Sequence, residues 1–365
     1  MPYWAEVNKL SVTAQSGTIG FGPQVGKGAL CTTTPSNYWQ RHRAVMVDLD
    51  AVDDVREGPP EVGGVAVPTF PYKAGPVVAG GMSIQPRLID SFGWLLYGLL
   101  GSVDTDADYG DVYNHVFQFA AGDNNFVPWM SFRKHIPRKD NAVDTDLGVI
   151  FKDCKIVGAT LALPNDAPIG CRLDVIGREF SLDSDPTAWT WASAFEDWES
   201  IPVACQTEGF IKIDNIELPI VQAQIGFQNV PLDLRQERIF GDPFIEDVTI
   251  VQRRLTFDIM VKWNDPILYR KVLAGAGSGV DVWSGKPYTA SLDLLTVSSS
   301  EMPSETGKYS LRVQAPECMM TQVGGIALAG SQGVMLRFAG VALDSSPYCT
   351  FTLHNKVANY TWPVA

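Results

Sequence analysis

Two stretches of the chain carry nearly the same alternation of apolar and polar positions. From Asp153 to Gly177 the odd positions Val157, Ala159, Leu161 and Leu163 are apolar. After the polar turn PNDAP, Cys171, Leu173 and Val175 continue that face, while Arg172 and Asp174 point the other way. Period-two alternation on both sides of a turn predicts an antiparallel hairpin with one buried face. From Glu317 to Gly340 the pattern returns: Ile326 and Leu328 precede the turn AGSQ, and Val334, Leu336 and Phe338 follow it with Arg337 opposed. Both stretches open on an acid-cysteine pair (Asp153-Cys154, Glu317-Cys318) and close on a glycine (Gly177, Gly340). With the first turn centred near Asp166, residue 154 falls opposite about 178 and residue 171 opposite about 161, so Cys154 and Cys171 are not expected to pair.

Other segments follow suit. Thr249–Trp263 alternates throughout, with Gln252, Arg254, Thr256, Asp258 and Lys262 on its polar side. Fifteen residues at ~3.3 Å each would span roughly 50 Å, the height of a tall wall. Val221, Ala223, Ile225 and Phe227 oppose Gln222, Gln224 and Gln228, whereas 77–89 is interrupted by Gly80, Gly81 and Pro86. Two short helices are predicted. The first covers 90–101, with Asp90 or Ser91 as N-cap and Gly101 as stop; the second covers 264–275, with Asn264 or Asp265 as cap, Pro266 in the first turn and Gly275 as stop. Each holds a Leu-Tyr pair (Leu96-Tyr97, Leu268-Tyr269).

Strand, helix, strands and hairpin thus recur in one order, which predicts an internal duplication. The expected fold is mainly β: two tandem, duplicated β-sandwich or barrel-like domains, each with a short flanking α-helix and long loops. The first domain is 1–183, with long loops at 35–75 and 102–147; 184–208 is a connector; the second domain is 209–365. The glycine-rich GTIGFGPQVGKG (17–28) reads as a flexible arm. Trp189, Trp191 and Trp198 are expected to pin the connector to a domain.

Composition narrows the function. The 365 residues are 45% hydrophobic and 19% charged, with 33 glycines and 24 prolines, as befits strands and turns. A net charge of -13 argues against gripping nucleic acid by its phosphates. No stretch is long and apolar enough to predict a membrane span, and the N-terminal MPYWAEVNKLSV lacks a basic-then-apolar leader, giving an expectation of cytoplasmic manufacture. The six cysteines show no zinc-like spacing and read as buried free thiols. The four histidines have no metal-ligand spacing, and no catalytic fingerprint is present. Glu196 and Glu199 in the connector read as a solvated face rather than a glycosidase pair. The basic clusters RHR (41–43) and SFRKHIPRK (131–139) read as contacts for acidic surfaces of neighbouring subunits. No catalytic, cofactor or metal site is expected.

The GTIGFGPQVGKGAL opening, the glycine-proline run before SFGWLLYGLLG, the FKDCKIVGATLAL…CRLDVIG ribbon and the second-half stretch 220–273, with Asn229, Leu232, Asp265, Leu268 and Tyr269, resemble the two-domain tail tube (major tail) proteins of bacteriophages with long non-contractile tails. The resemblance covers nearly the whole chain. It implies a structural virion protein, assembled in the host cytoplasm, whose domains join by edge-strand pairing into stacked rings, three chains giving a pseudo-sixfold ring. It implies as partners other copies of the chain, a tape-measure protein and further tail proteins, with DNA passing through the lumen unbound and no membrane. Residues 1–30 and 35–75 would stack the rings. Gln252, Arg254, Thr256, Asp258 and Lys262 become the candidate lumen-facing or inter-subunit face, although their charges are mixed rather than acidic. The alternatives are a surface or secreted carbohydrate-binding β-sandwich using the three connector tryptophans, or another tail component such as a terminator or hub.

Overall fold

The computed structural model describes residues 17–31, 38–52, 55–59, 62, 64, 70–73, 75–119, 126–137, 146–165, 167–183, 185–192, 205–263, 267–275, 283–302, 307–322 and 334–360. The chain is mainly β. Its first half holds β1 (Thr18–Pro23), β2 (Gln40–Arg41), β3 (Ala44–Val47), β4 (Asp50–Val52), β5 (Val55–Glu57), β6 (Pro71–Lys73), β7 (Val77–Ile84), α1 (Asp90–Leu100), β8 (Gly101–Tyr109), β9 (Val112–Phe119), β10 (Met130–Ile136), β11 (Leu147–Leu163) and β12 (Gly170–Asp183). Its second half holds β13 (Cys205–Ile213), β14 (Ile216–Glu217), β15 (Ile220–Pro231), β16 (Ile250–Lys262), α2 (Ile267–Ala274), β17 (Tyr288–Glu301), β18 (Lys308–Gln322), β19 (Met335–Ala342) and β20 (Thr350–Asn355). Eighteen of these strands form one hydrogen-bonded network, and β5 and β6 make a separate ribbon.

The first anticipated hairpin forms, and the described strands of the second pair with each other. In β11–β12, Cys154 stands opposite Gly177 and Leu161 opposite Cys171, within one residue of the register expected from the turn. Their side chains alternate as the sequence requires, with Ala159, Leu161, Leu173 and Val175 buried. In β18–β19, Cys318 faces Ala342 and Gln322 faces Phe338. Ile326 and Leu328 lie outside the described residues. Cys31, Cys154, Cys171, Cys318 and Cys349 are buried, and none of them is in a disulfide among the described residues; burial pushes the Cys171 thiol up to about 12.

The long strand β16 keeps its alternation from Leu255 to Val261 but not at its start. Ile250 is buried and Val251 exposed, the reverse of the expected phase. A bulge is the cause: Val230 pairs with Gln252 and Pro231 with Ile250, so Val251 has no partner and the faces swap across it.

Three other expectations are corrected. Residues 17–28 are no flexible arm, since β1 pairs along its length with β10 and buries Ile19 and Phe21. Its glycines mark close approach: a Cβ on Gly20 would collide with the Trp191 ring. The span 102–147 is no long loop, because β8, β9 and β10 occupy half of it. The N-cap of α1 is Ile89, not Asp90 or Ser91; the Ser91 hydroxyl is buried against His42 Nδ1 at 2.8 Å and is not available to cap. The helix does stop at Gly101, whose φ of 105° is left-handed and whose amide donates to Tyr97 O.

One hydrophobic core runs from Ile19 to Tyr360. Helix α1 lies inside it, burying Phe92, Leu95, Leu99 and Leu100, while α2 leaves Ile267 and Leu273 exposed. Two seams join the halves: β11 pairs with β15, and β20 returns from the C-terminal end to pair with β9.

Candidate assembly interface

The pairings of the first half are repeated in the second. In the first, β1 joins β2 and β10, β10 joins β11, β11 joins β12, β12 joins β7, and β7 joins β3 and β4. In the second, β13 joins β14 and β17, β17 joins β18, β18 joins β19, β19 joins β16, and β16 joins β15. Registers match as well as order. Ala44, Val47, Ala51 and Val52 face Ile84, Met82, Val78 and Val77. Ile220, Ala223, Phe227 and Gln228, each 176 residues further on, face Val261, Ile259, Leu255 and Arg254, each 177 further on. The Leu-Tyr pairs do not correspond, since Leu96 lies in mid-helix and Leu268 in the first turn.

These strands make one continuous wall in the order β3/β4, β7, β12, β11, β15, β16, β19, β18. Its middle seam sets Gly158 against Gln228, Ala159 against Phe227 and Leu161 against Ile225. Asn229 anchors that seam from within: it is buried, and its Nδ2 donates to Leu99 O and Ile156 O, both at 2.9 Å. This ties the seam to the last turn of α1.

The wall ends in two strand edges. At one end β3 and β4 pair only with β7 among the described residues, with Val45, Met46 and Val52 exposed. A lysine guards part of this edge: Lys134 Nζ donates to Leu49 O and Asp50 Oδ2, both at 2.8 Å. At the other end β17 covers β18 only as far as Met320, where it meets Tyr288, so Thr321 and Gln322 pair on the β19 side alone among the described residues. Exposed strand edges with apolar side chains are templates for further pairing.

The five residues singled out from the sequence share one face of β16. Gln252, Arg254 and Lys262 are exposed; Thr256 and Asp258 are half-buried. Asp258 holds Arg337 of β19 in a forked ion pair, 2.6 Å at the shortest. The side chain of Arg254, whose backbone lies in the ladder opposite Gln228, makes no hydrogen bond or ion pair among the described residues. The same face carries Gln224 and Gln228 of β15, and Arg172 and Asp174 of β12. Arg172 also reaches Asp48 at 2.9 Å, which holds that carboxyl below the usual carboxylate range. Cations and carboxylates therefore nearly balance across a glutamine-rich surface.

A groove of about 980 Å³ opens at the foot of β16, β18 and β19, lined among others by Gln252, Arg254, Met319, Val341, Leu343 and Asp344. The corresponding place on the first half is filled by 232–249, the segment between β15 and β16. There Lys155 Nζ meets Asp247 Oδ1 and Val248 O at 3.0 Å, and its ammonium lies 4.1 Å from the Trp129 ring centre. Arg178 binds Asp242 Oδ2 at 2.9 Å and Ile245 O at 2.8 Å. Lys27 pairs with Glu246. Ile245, Val248 and Ile250 close a small apolar cluster against Val77, Trp129 and Ile176.

The basic clusters are spent largely inside the chain. Arg133 is buried, donates to Thr190 O and lies under the Trp39, Trp189 and Trp191 rings, with Trp191 closest at 3.9 Å. Arg41 also stacks on Trp191. These two connector tryptophans hold the chain to the first half; Trp198, Glu196 and Glu199 lie outside the described residues. Among the described residues no group of His, Cys, Asp or Glu has metal-binding geometry, and no helix is long and apolar enough to cross a membrane. No protein-family model matches the chain, and no curated protein matches it.

Proposed function

We propose that this chain is a wall-forming structural protein of the phage tail tube kind, built to join edge to edge with copies of itself into rings. The observation that carries the reading is the repeated register. Within the chain, β11 of the first half pairs with β15 of the second. Carrying that seam forward by the same offsets sets Thr321 and Gln322 of one copy against Val52 and Ala51 of the next, the two edges that no other strand covers among the described residues. A head-to-tail contact between two different edges closes into a ring when its rotation permits. With two equivalent units per chain, three copies make a pseudo-sixfold ring.

The polar face of the wall is then the lumen surface. Its charges are mostly neutralised in pairs, so it lacks the cationic field that would hold DNA phosphates. Conduction would be passive, with a tape-measure protein filling the tube before DNA does.

Negative-stain electron microscopy of the concentrated full chain, with mass photometry, tests this. Rings or hollow filaments built from trimers are expected. Met46→Lys combined with Val52→Lys should abolish them while leaving circular dichroism and thermal unfolding near wild type. A chain that stays monomeric at every concentration, or assembly indifferent to both lysines, would sink the reading.

A further inference from the structure

We infer that the groove beside Arg254 is the seat of the β5–β6 ribbon of a second copy, a contact separate from the edge pairing and resting on the assembly reading above. The argument is again one of register. The residues of the first half that receive segment 232–249 include Lys155, Ile176, Arg178, Gly75 and Val77; Arg238 Nη2 donates to Gly75 O at 3.0 Å. The offsets fixed by the pairing of β11 with β12 and of β18 with β19 carry Lys155 to Met319, Ile176 to Val341 and Arg178 to Leu343. Those relating β7 to β16 carry Gly75 to Gln252 and Val77 to Arg254. All five counterparts line the groove. Among the described residues the fold therefore has the same receptor twice, filled once from within and open once.

The occupant follows from the same correspondence. Segment 232–249 links β15 to β16, and its counterpart links β4 to β7. That linking segment contains the β5–β6 ribbon, paired through Val55–Lys73, Arg56–Tyr72 and Glu57–Pro71. In its own chain the ribbon stands apart from the eighteen-strand network and exposes Val55, Phe70 and Tyr72. If β4 of one copy lies along β18 of its neighbour, the ribbon is delivered to the groove as 232–249 is delivered to Lys155. Chemistry agrees. The groove offers apolar Met319 and Val341 between a cation, Arg254, and a carboxylate, Asp344; the ribbon offers exposed apolar side chains beside Glu57 and Arg56.

The test places the photo-crosslinker p-benzoylphenylalanine at position 72 of the full chain, mixes unlabelled and nitrogen-15-labelled copies, and maps cross-links by mass spectrometry. Mixed-isotope links from residue 72 to peptides holding 251–254 or 337–349 are expected. Arg254→Glu should cut their yield at least threefold without changing thermal unfolding. Assemblies in which residue 72 links only within its own copy, or only to another surface, would overturn the ribbon contact and leave the edge pairing standing. Absence of any assembly would overturn both.

Discussion

The ammonium of Lys155 stands 3.0 Å from the Asp247 carboxylate, a residue 92 positions further along, and so binds the second half of the chain to the foot of the first hairpin. The lysine is nearly buried, with Trp129 beneath it, and it also satisfies Val248 O. Its loss leaves a carboxylate and a carbonyl without their cation.

Lys155→Met places at this site the residue type found at its counterpart, Met319. We expect a loss of about 1–3 kcal/mol in chemical denaturation. Trypsin should also cut faster at Arg235 and Arg238 in the released segment. An unchanged digestion pattern would mean that the apolar cluster around Ile245 and Val248 holds the segment alone.

Asn229→Leu removes the two donors that tie the central seam to α1 and Ile156. Two buried carbonyls lose their partner, so destabilisation of about 2–4 kcal/mol is expected from urea unfolding. A cost below 1 kcal/mol would show that water or a backbone shift replaces the amide.

Acid should weaken the fold through His42. Burial pushes its imidazole down to about 4, whereas in the unfolded chain it titrates near the ordinary value of about 6.5. Between those values the unfolded chain holds the extra proton, so stability rises with pH. The contribution is complete above about pH 6.5 and is lost as pH falls towards 4, amounting to about 3 kcal/mol. His42→Gln, which can still meet the Ser91 hydroxyl, should lack that part of the dependence. Paired denaturation curves at pH 7, 5.5 and 4 read the difference directly.

The thiols should be silent in the native state. Burial raises Cys31, Cys318 and Cys349 to about 12, as it does Cys171, and the thiolate is the reactive form. Iodoacetamide at pH 8 should therefore modify at most Cys205, and all six cysteines only after denaturation. Rapid labelling of any of the five buried thiols would reveal local opening at that strand.

What the sequence made legible depended on how local the determinants were. The first hairpin has uninterrupted alternation and a polar turn, which predict its register to within a residue: the turn sets Cys154 opposite about 178, and it faces Gly177. The five polar positions of β16 fell on one face for the same reason. Strand β1 is hidden in the sequence because Gly20 and Gly22 imitate a loop, when they let Trp191 and Cys31 come close. β8 reads as a loop because Asp104, Asp106 and Asp108 stand on a strand that faces solvent on much of its length. The reversal at Val251 was invisible, since a bulge depends on the partner strand. Neither the clasp at Lys155 nor the two strand edges left unpaired among the described residues carries a local signature. Both are properties of strands brought together from distant parts of the chain.

The central seam between β11 and β15 has a consequence for how such a structure would grow and fail. In a ring made of these chains, every second joint is closed by folding and is protected by the covalent continuity of a single polypeptide. Only the alternate joints depend on encounter between molecules, on concentration, and on whatever salt or pull the particle meets. The ring is thus divided in advance into durable pairs and separable contacts, and under dilution or tension it would come apart into whole chains, each with its inner joint intact.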